Sequence, residues 1–456
     1  MRSRLKPLAP TESATGPTES APAVDEPGAL FEGVVDRWAT GGAGITRAPS
    51  GRLVLAADAA VGDRARIELT AVHKRHADGR VIEVVEPGPG RIEPACAHAR
   101  LDAEPRCGGC DWQHLDAGAA SAARRAIVAD SFARLGRFDG DLPWQPSPEL
   151  PALGYRTILR AAVADGRAGF RRARSHDVAV PDDCSIAHPL AAEILLEGRF
   201  GDVVEVNIKV GANTGERMVV VDGAPDRVVV PDDVIVVGRR ELAAGRKAHI
   251  HEVIDGTRFR ISADSFFQCR PDGASALVAA AADGLADLGD LGEGPVLDLY
   301  AGVGLFAGVL GNSALGKGVL GKGVSGAAGA FAGRRVVAVE ANPSSTADAA
   351  VNLPAVLDDV EVVTANVDRF VPADHGAGSA AAVIADPARK GLGRPGVATI
   401  VATGAPRVVL VSCDPAAAAR DARLLSDAGY HLRSIRVVDL FGQTSHVEVV
   451  SAFERG

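Results

Sequence analysis

The chain has 456 residues, enough for two to four domains of ordinary size. A net charge of −9 and 47% hydrophobic residues fit a soluble globular protein and speak against a generic nucleic-acid binder, while leaving room for a local basic face. Six cysteines are too few for a disulfide framework, no apolar run is long enough to span a bilayer, and Arg2, Arg4 and Lys6 precede no apolar signal core; the expected place is the cytoplasm, with no membrane contact.

Residues 1–28 are rich in Pro, Ser, Thr, Ala and Glu with no hydrophobic period, which predicts a disordered tail. Over 29–91 the text turns to short β-rich runs separated by glycine turns such as GGAG at 41–44 and VGD at 61–63. Several short strands at close spacing predict a small β-barrel. It carries Arg64, Arg66, Lys74, Arg75 and Arg80, readable either as an oligonucleotide-binding face or as a solvated strand face. Residues 92–250 are of mixed α+β character. Three cysteines, Cys96, Cys107 and Cys110, fall within fifteen residues there. Between Arg156 and Arg174 there are six arginines against one acid, Asp165, a composition suited to phosphate contacts.

From 251 to 456 apolar runs alternate with helical stretches: PVLDLYA, RRVVAVEAN, DVEVVTAN, AAAVIADPA and RVVLVSCDP. They read as buried parallel strands joined by crossover helices, a doubly wound, Rossmann-like α/β sheet closed by an antiparallel pair at one edge. The Gly/Ala-rich stretch 311–333 interrupts it as a flexible insertion. It nearly spells a phosphate loop, but Gly318 stands where a Ser or Thr should bind magnesium.

The first strand of this domain ends in Asp298-Leu-Tyr300-Ala-Gly302-Val-Gly304, where glycines let the backbone approach a ligand. The same string fits a dinucleotide fingerprint, so a nicotinamide cofactor is an alternative. The following strands end at Glu340, which could hold ribose hydroxyls, near Asn366, at Asp386 and at Cys413. Ligands of open α/β sheets bind at the strand C-termini, and five successive strands each deliver a polar or reactive group there. Glu340 and Asn366 can equally be helix caps. Cys413 leads from a strand into a helix whose N-terminus is expected to favour its thiolate.

VSCDPAAAARDARLL resembles the S-C-N-P nucleophile motif of the RNA uracil-C5 methyltransferases, a class I family that uses S-adenosylmethionine. SFFQC at 265–269 is similar to that family's cofactor-contacting segment and supplies Gln268. DLYAGVGLF at 298–306 is similar to its glycine motif, IADPARKG at 384–391 to its D-P-P-R motif, and DLFGQTSHVEVV at 439–450 to its C-terminal motif, whose glutamate is Glu448 here. The 29–91 barrel resembles an OB-like TRAM domain. CGGCDWQHL at 107–115, with Cys96 before and Cys184 after, resembles the four-cysteine iron–sulfur site of the larger members.

The resemblance implies methylation of C5 of a uridine in RNA, with ribosomal RNA favoured and transfer RNA the alternative. Cys413 is then the nucleophile and Glu448 the general base. Gln268, Tyr300, Gly302, Gly304, Glu340, Asn366 and Asp386 form the S-adenosylmethionine site. Cys96, Cys107, Cys110 and Cys184 hold a 4Fe-4S cluster in the central domain, with zinc as the second reading of the same ligands. The chain departs from the pattern at Leu305, where many members have Asn, at Ala388, at Asp414, and in the ten residues between Cys96 and Cys107. A non-catalytic RNA-binding iron–sulfur protein is the competing class.

Overall fold

A computed structural model describes residues 25–172, 175–288, 291–312 and 331–456. Most of the tail, 1–24, and most of the insertion, 313–330, lie outside the described residues. The last residues assigned to the tail are held: Asp25 accepts hydrogen bonds from Ser50 and Arg52, and Gly28 N–H donates to Leu69.

The N-terminal β-rich runs form strands β1 (Leu30–Val34), β2 (Arg37–Trp38), β3 (Gly44–Arg47), β4 (Leu53–Ala57), β5 (Arg64–Val72) and β6 (His76–Glu86). They make one six-stranded sheet in the order β1-β5-β6-β4-β3-β2, and β1 also touches β3, so the sheet curls on itself. Alternation explains it. Ala65, Ile67 and Leu69 of β5 point inward onto Val54 and Ala56 of β4, while Arg64, Arg66 and Glu68 point outward. The single run 63–77 breaks into β5 and β6 at a tight turn closed by His73 N–H donating to His76.

The middle of the chain adds α1 (Ala117–Ser131), then β7 (Ile158–Ala164), β8 (Arg167–Arg171), β9 (Val178–Ala179), α2 (Pro189–Glu197), β10 (Glu205–Val210), β11 (Arg217–Val221), β12 (Val234–Gly238) and α3 (Arg239–Ala243). The strands form a second six-stranded sheet, β12-β11-β10-β7-β8-β9. One face packs Leu159, Val206, Ile208 and Val219 against Ile194 and Leu195 of α2. Helix α1 does not belong to this core. Its Val128, with Phe132 just beyond, packs among Ala418, Ala422 and Leu425 of the C-terminal domain. Residues 143–145 likewise lie along the C-terminal sheet, with Gln145 N–H donating to Ile435. That contact covers an otherwise open sheet edge.

The C-terminal part opens with the hairpin β13 (His249–Ile254) and β14 (Thr257–Ser262), so the 250/251 division falls inside a strand. There follow α4 (Pro271–Ala286), β15 (Val296–Leu299), α5 (Leu305–Gly311), β16 (Val336–Glu340), α6 (Pro343–Asn352), β17 (Val360–Thr364), β18 (Ala382–Ala385), α7 (Gly393–Ala402), β19 (Arg407–Ser412), α8 (Pro415–Asp427), β20 (Tyr430–Val438) and β21 (Glu448–Arg455). The seven strands run β17-β16-β15-β18-β19-β21-β20. The first five are parallel, and each of the five apolar runs read from the sequence supplies one of them. Nearly every residue of β15, β16, β18 and β19 is buried, as a parallel sheet covered on both faces requires. The final pair is antiparallel, with β21 inserted between β19 and β20.

Candidate active site

The strand order decides which groups can meet. β21 pairs antiparallel with β19 in a register that sets Val449 opposite Ser412. Glu448 therefore begins its strand at the end where Cys413 leaves its own. Both line a cavity of about 590 Å³ at the C-terminal ends of the parallel strands, with Gln268, Tyr300, Gly302, Glu340 and Asp386. Seven residues singled out from sequence thus share one wall.

Two others do not line it. Gly304 starts α5 at φ +93°, and a Cβ there would stand 2.7 Å from the Leu353 side chain, so glycine is needed for packing and backbone shape. Asn366 caps the turn after β17 by accepting from Asp368 N–H. The cavity also takes residues that no sequence argument named, among them Phe266, Asn342, Arg389 and His446. Arg389 and His446 sit inside the two motifs around Asp386 and Glu448, so the signal was present. Leu305 is at the wall as well, an apolar contact in place of an amide.

Local structure fixes several of these groups. Glu340 accepts from Gly302 N–H at 2.9 Å and from Asn342 N–H at 2.7 Å, which ties the ends of β15 and β16 together. Tyr300 holds a left-handed backbone at φ 61°, a strained conformation for a bulky residue and one that clusters at functional sites. Asp298 is fully buried; one carboxylate oxygen accepts from Ala307 N–H at 3.0 Å and the other has no partner.

The electrostatics run against easy ionisation. Burial lifts Asp298 to about 7, with the nearby Glu340 charge adding to it. Burial lifts Asp386 to about 7 as well, with Asp298 next in effect. Glu448 lies well above the usual carboxylate range, first through burial and then through Asp386, with Arg389 opposing. Cys413 is pushed up to about 12 by burial and then by Glu448 and Asp386, and Arg389 again opposes. Burial and the two carboxyls thus act against the thiolate that the helix N-terminus is expected to favour, and the Asp414 side chain accepts the Ala417 N–H of that helix. What remains is a set of weak acids crowded around one cavity, an arrangement that answers strongly to an incoming cation.

A second cluster lies in the middle domain. Cys96, Cys107, Cys110 and Cys184 all line one small cavity of about 30 Å³, beside Gln113 and Phe170. Gln113 accepts from Cys96 N–H at 3.0 Å. Burial raises Cys110 to about 12 and Cys184 to about 11, and neighbouring cysteines add to both shifts.

No protein-family model matches the chain. An uncharacterized RNA methyltransferase of Streptomyces avermitilis is 32% identical over 453 residues, covering 94% of this chain and 98% of its own. One of Streptomyces coelicolor is 33% identical and covers 98% of each chain. Among solved structures, a tRNA (uracil-54, C5)-methyltransferase of Pyrococcus abyssi in complex with S-adenosyl-L-homocysteine superposes with a TM-score of 0.64 at 22% identity, over 92% of this chain and 99% of that one. The chain matches the two Streptomyces relatives over nearly their whole length and its own, and it belongs to the RNA methyltransferase family.

Proposed function

We propose that the enzyme methylates C5 of a uridine in RNA, with S-adenosylmethionine as methyl donor and Cys413 as covalent nucleophile. The observation that carries this reading is the meeting of Cys413 and Glu448 across adjacent antiparallel strands in one cavity with Asp386. Uracil C5 is a poor nucleophile. Addition of the Cys413 sulfur to C6 forms an S–C6 bond and moves the C5=C6 electron pair toward O4, and C5 can then attack an electrophilic methyl. S-adenosylmethionine supplies that methyl on a sulfonium. C5 then carries both methyl and hydrogen. Glu448 takes the C5 proton, the C5=C6 bond re-forms, and the Cys413 thiolate leaves.

The raised pKa values give this scheme its order. Without the donor, burial and the nearby carboxyls keep the proton on Cys413. A bound sulfonium donor would add its positive charge to that of Arg389 and so favour the thiolate, the Cys413 proton going to solvent. Glu448, held well above ordinary carboxylates, must first give up its own proton to solvent, which the same positive charge would favour, and is then a stronger base than a surface glutamate. Gln268, Tyr300, Gly302 and Glu340, which line the cavity, are assigned to the donor, and Asp386 to the donor or the uracil edge.

The N-terminal sheet is read as the TRAM domain and, with the arginine-rich strip, as the holder of flanking RNA. The four cysteines are read as ligands of an iron–sulfur cluster with a structural role. In support, all four line one small cavity. Ribosomal RNA is the favoured substrate. The Pyrococcus structure, named for transfer RNA, favours the second reading.

The test is transfer of labelled methyl from S-adenosylmethionine to unmodified total RNA, then size separation and nucleoside analysis. Label in 5-methyluridine is expected, in the ribosomal band on the first reading and in the transfer band on the second. No label from metal-loaded protein moves the reading to a non-catalytic RNA-binding role.

A further inference from the structure

Beside the active-site cavity lies a second one of about 440 Å³, in which Arg156, Arg160, Lys209 and Arg239 face a single acid, Asp264. The two share Asp264, Phe266, Phe267, Gln268 and Phe441, so a strand of nucleotides can pass from one to the other.

The sheet pattern makes this cavity. Along β10 the residues alternate: Val206 and Ile208 face the apolar core beneath α2, while Asn207 and Lys209 face the other way. β7 pairs with β10 so that Arg160 stands opposite Asn207 and Ile158 opposite Lys209. On the same face β11 offers Met218 and Val220, which do pack into the catalytic-domain core. One end of the face is sealed with apolar side chains and the other is left polar and open.

Each polar group there has a distinct part. Lys209 donates to the carbonyls of Ser262, Ala263 and Ser265 at 3.2, 2.8 and 2.7 Å, which fixes the turn that presents Phe266. Phe266 is 68% exposed, a large aromatic ring left in water between two cavities. Arg160 pairs with Glu205 and Arg239 with Asp264, but these are exposed pairs of small net worth, and both guanidinium groups can turn to a phosphate. The Oδ1 of Asn207 is buried with no hydrogen-bond partner, an unmet acceptor.

We infer that this second cavity is a subsite for the nucleotide next to the target uridine: its base stacks on Phe266, its phosphate meets Arg160 and Arg239, and an exocyclic amino group donates to Asn207. Stacking on an aromatic ring accepts any base. The Asn207 acceptor selects against uracil, the base without an amino group. The assignment rests on the proposed uridine chemistry and deepens it.

The experiment uses the full, metal-loaded chain saturated with S-adenosylhomocysteine, and fluorescein-labelled pentanucleotides read by anisotropy. The probes are AAUAA, CCUCC and UUUUU. The wild type is expected to prefer the A- and C-flanked probes over UUUUU by about five-fold, the worth of one hydrogen bond. Asn207→Leu should bring that ratio to about one. The Arg160→Ala, Arg239→Ala double variant should lower the salt dependence of binding by about 0.7 for each phosphate it no longer neutralises. Melting temperatures equal to wild type show that the variants are folded; a variant that melts early is replaced by Asn207→Met, which also lacks the acceptor, or by Arg160→Gln, Arg239→Gln and held to the same outcomes. If wild type methylates total RNA yet shows no flank preference, binds none of the probes, or keeps its preference and salt slope in the variants, the subsite is overturned. If wild type methylates no RNA, the failure lies in the parent reading.

Discussion

Asp111, one residue past Cys110, accepts both the N–H and the hydroxyl of Ser445, at 2.8 and 2.6 Å. Ser445 lies three residues before Glu448, on the loop that delivers the proposed base. The same junction carries Trp112 N–H donating to Gln443, and buried Arg124 donating to the carbonyls of Phe441, Gly442, Thr444 and His446. The cysteine-bearing loop and the base-bearing loop are thus bolted together across more than three hundred residues of sequence.

Asp111→Ala removes two of these bonds without touching the cavity. The local loss is about 1–3 kcal/mol, and displacement of a catalytic group by about 1 Å can cost a hundred-fold in rate. The expected result is a fall in kcat of at least about ten-fold, with affinity for S-adenosylhomocysteine unchanged. An unaltered kcat would show that Arg124 and Trp112 hold the loop alone.

Glu448→Gln separates the two halves of the proposed chemistry. Cys413 can still add to C6 and the methyl can still transfer, but nothing removes the C5 proton. The expected outcome is a methylated RNA–protein adduct that survives a denaturing gel. Cys413→Ala should give no adduct and no product. Normal turnover in either variant would remove that residue from its assigned role.

The parallel strands were legible because each is a short, largely apolar run ended by a polar residue, and that signal is strong wherever both faces of a sheet are buried. The five strand ends gave Glu340, Asp386 and Cys413 their places at the cavity. Asn366 had the same local signature and turned out to cap a turn, because an Asn after a strand satisfies both demands equally well. The Cys413 environment was not legible. Its acidity is set by Glu448 and Asp386, which come from other strands, and by burial, none of which is a local property. Helix α1 was assigned to the middle domain by adjacency, yet its apolar stripe packs on α8; periodicity tells that a stripe exists and not what covers it.

Asp386 is held at a cost. Its folded acidity constant is about 7 against an ordinary 3.8, so the folded protein binds this proton more tightly than the unfolded chain. The sign follows: the contribution to stability is full below about pH 4 and is lost as pH rises through 7. Asp386→Asn abolishes that loss. At pH 8 the variant should melt higher than wild type, by on the order of 1–3 °C, and the gap should shrink at pH 5 while methylation falls at both. A variant that melts lower at pH 8 would mean that the carboxylate makes bonds worth more than its desolvation.

Four cysteines around one small cavity make a prediction about metal content. The protein purified without oxygen is expected to be brown and to carry iron and sulfide in equal amounts, not stoichiometric zinc. Cys110→Ser should lose the colour and lower the melting temperature, because the cavity joins Cys96, Cys107 and Cys110 to Cys184 from a segment more than seventy residues later. The loss should also reach the active site through Asp111 and Ser445, as a drop in kcat resembling that of Asp111→Ala. If Cys110→Ser loses the metal but keeps full kcat, the two loops are joined in structure and independent in function.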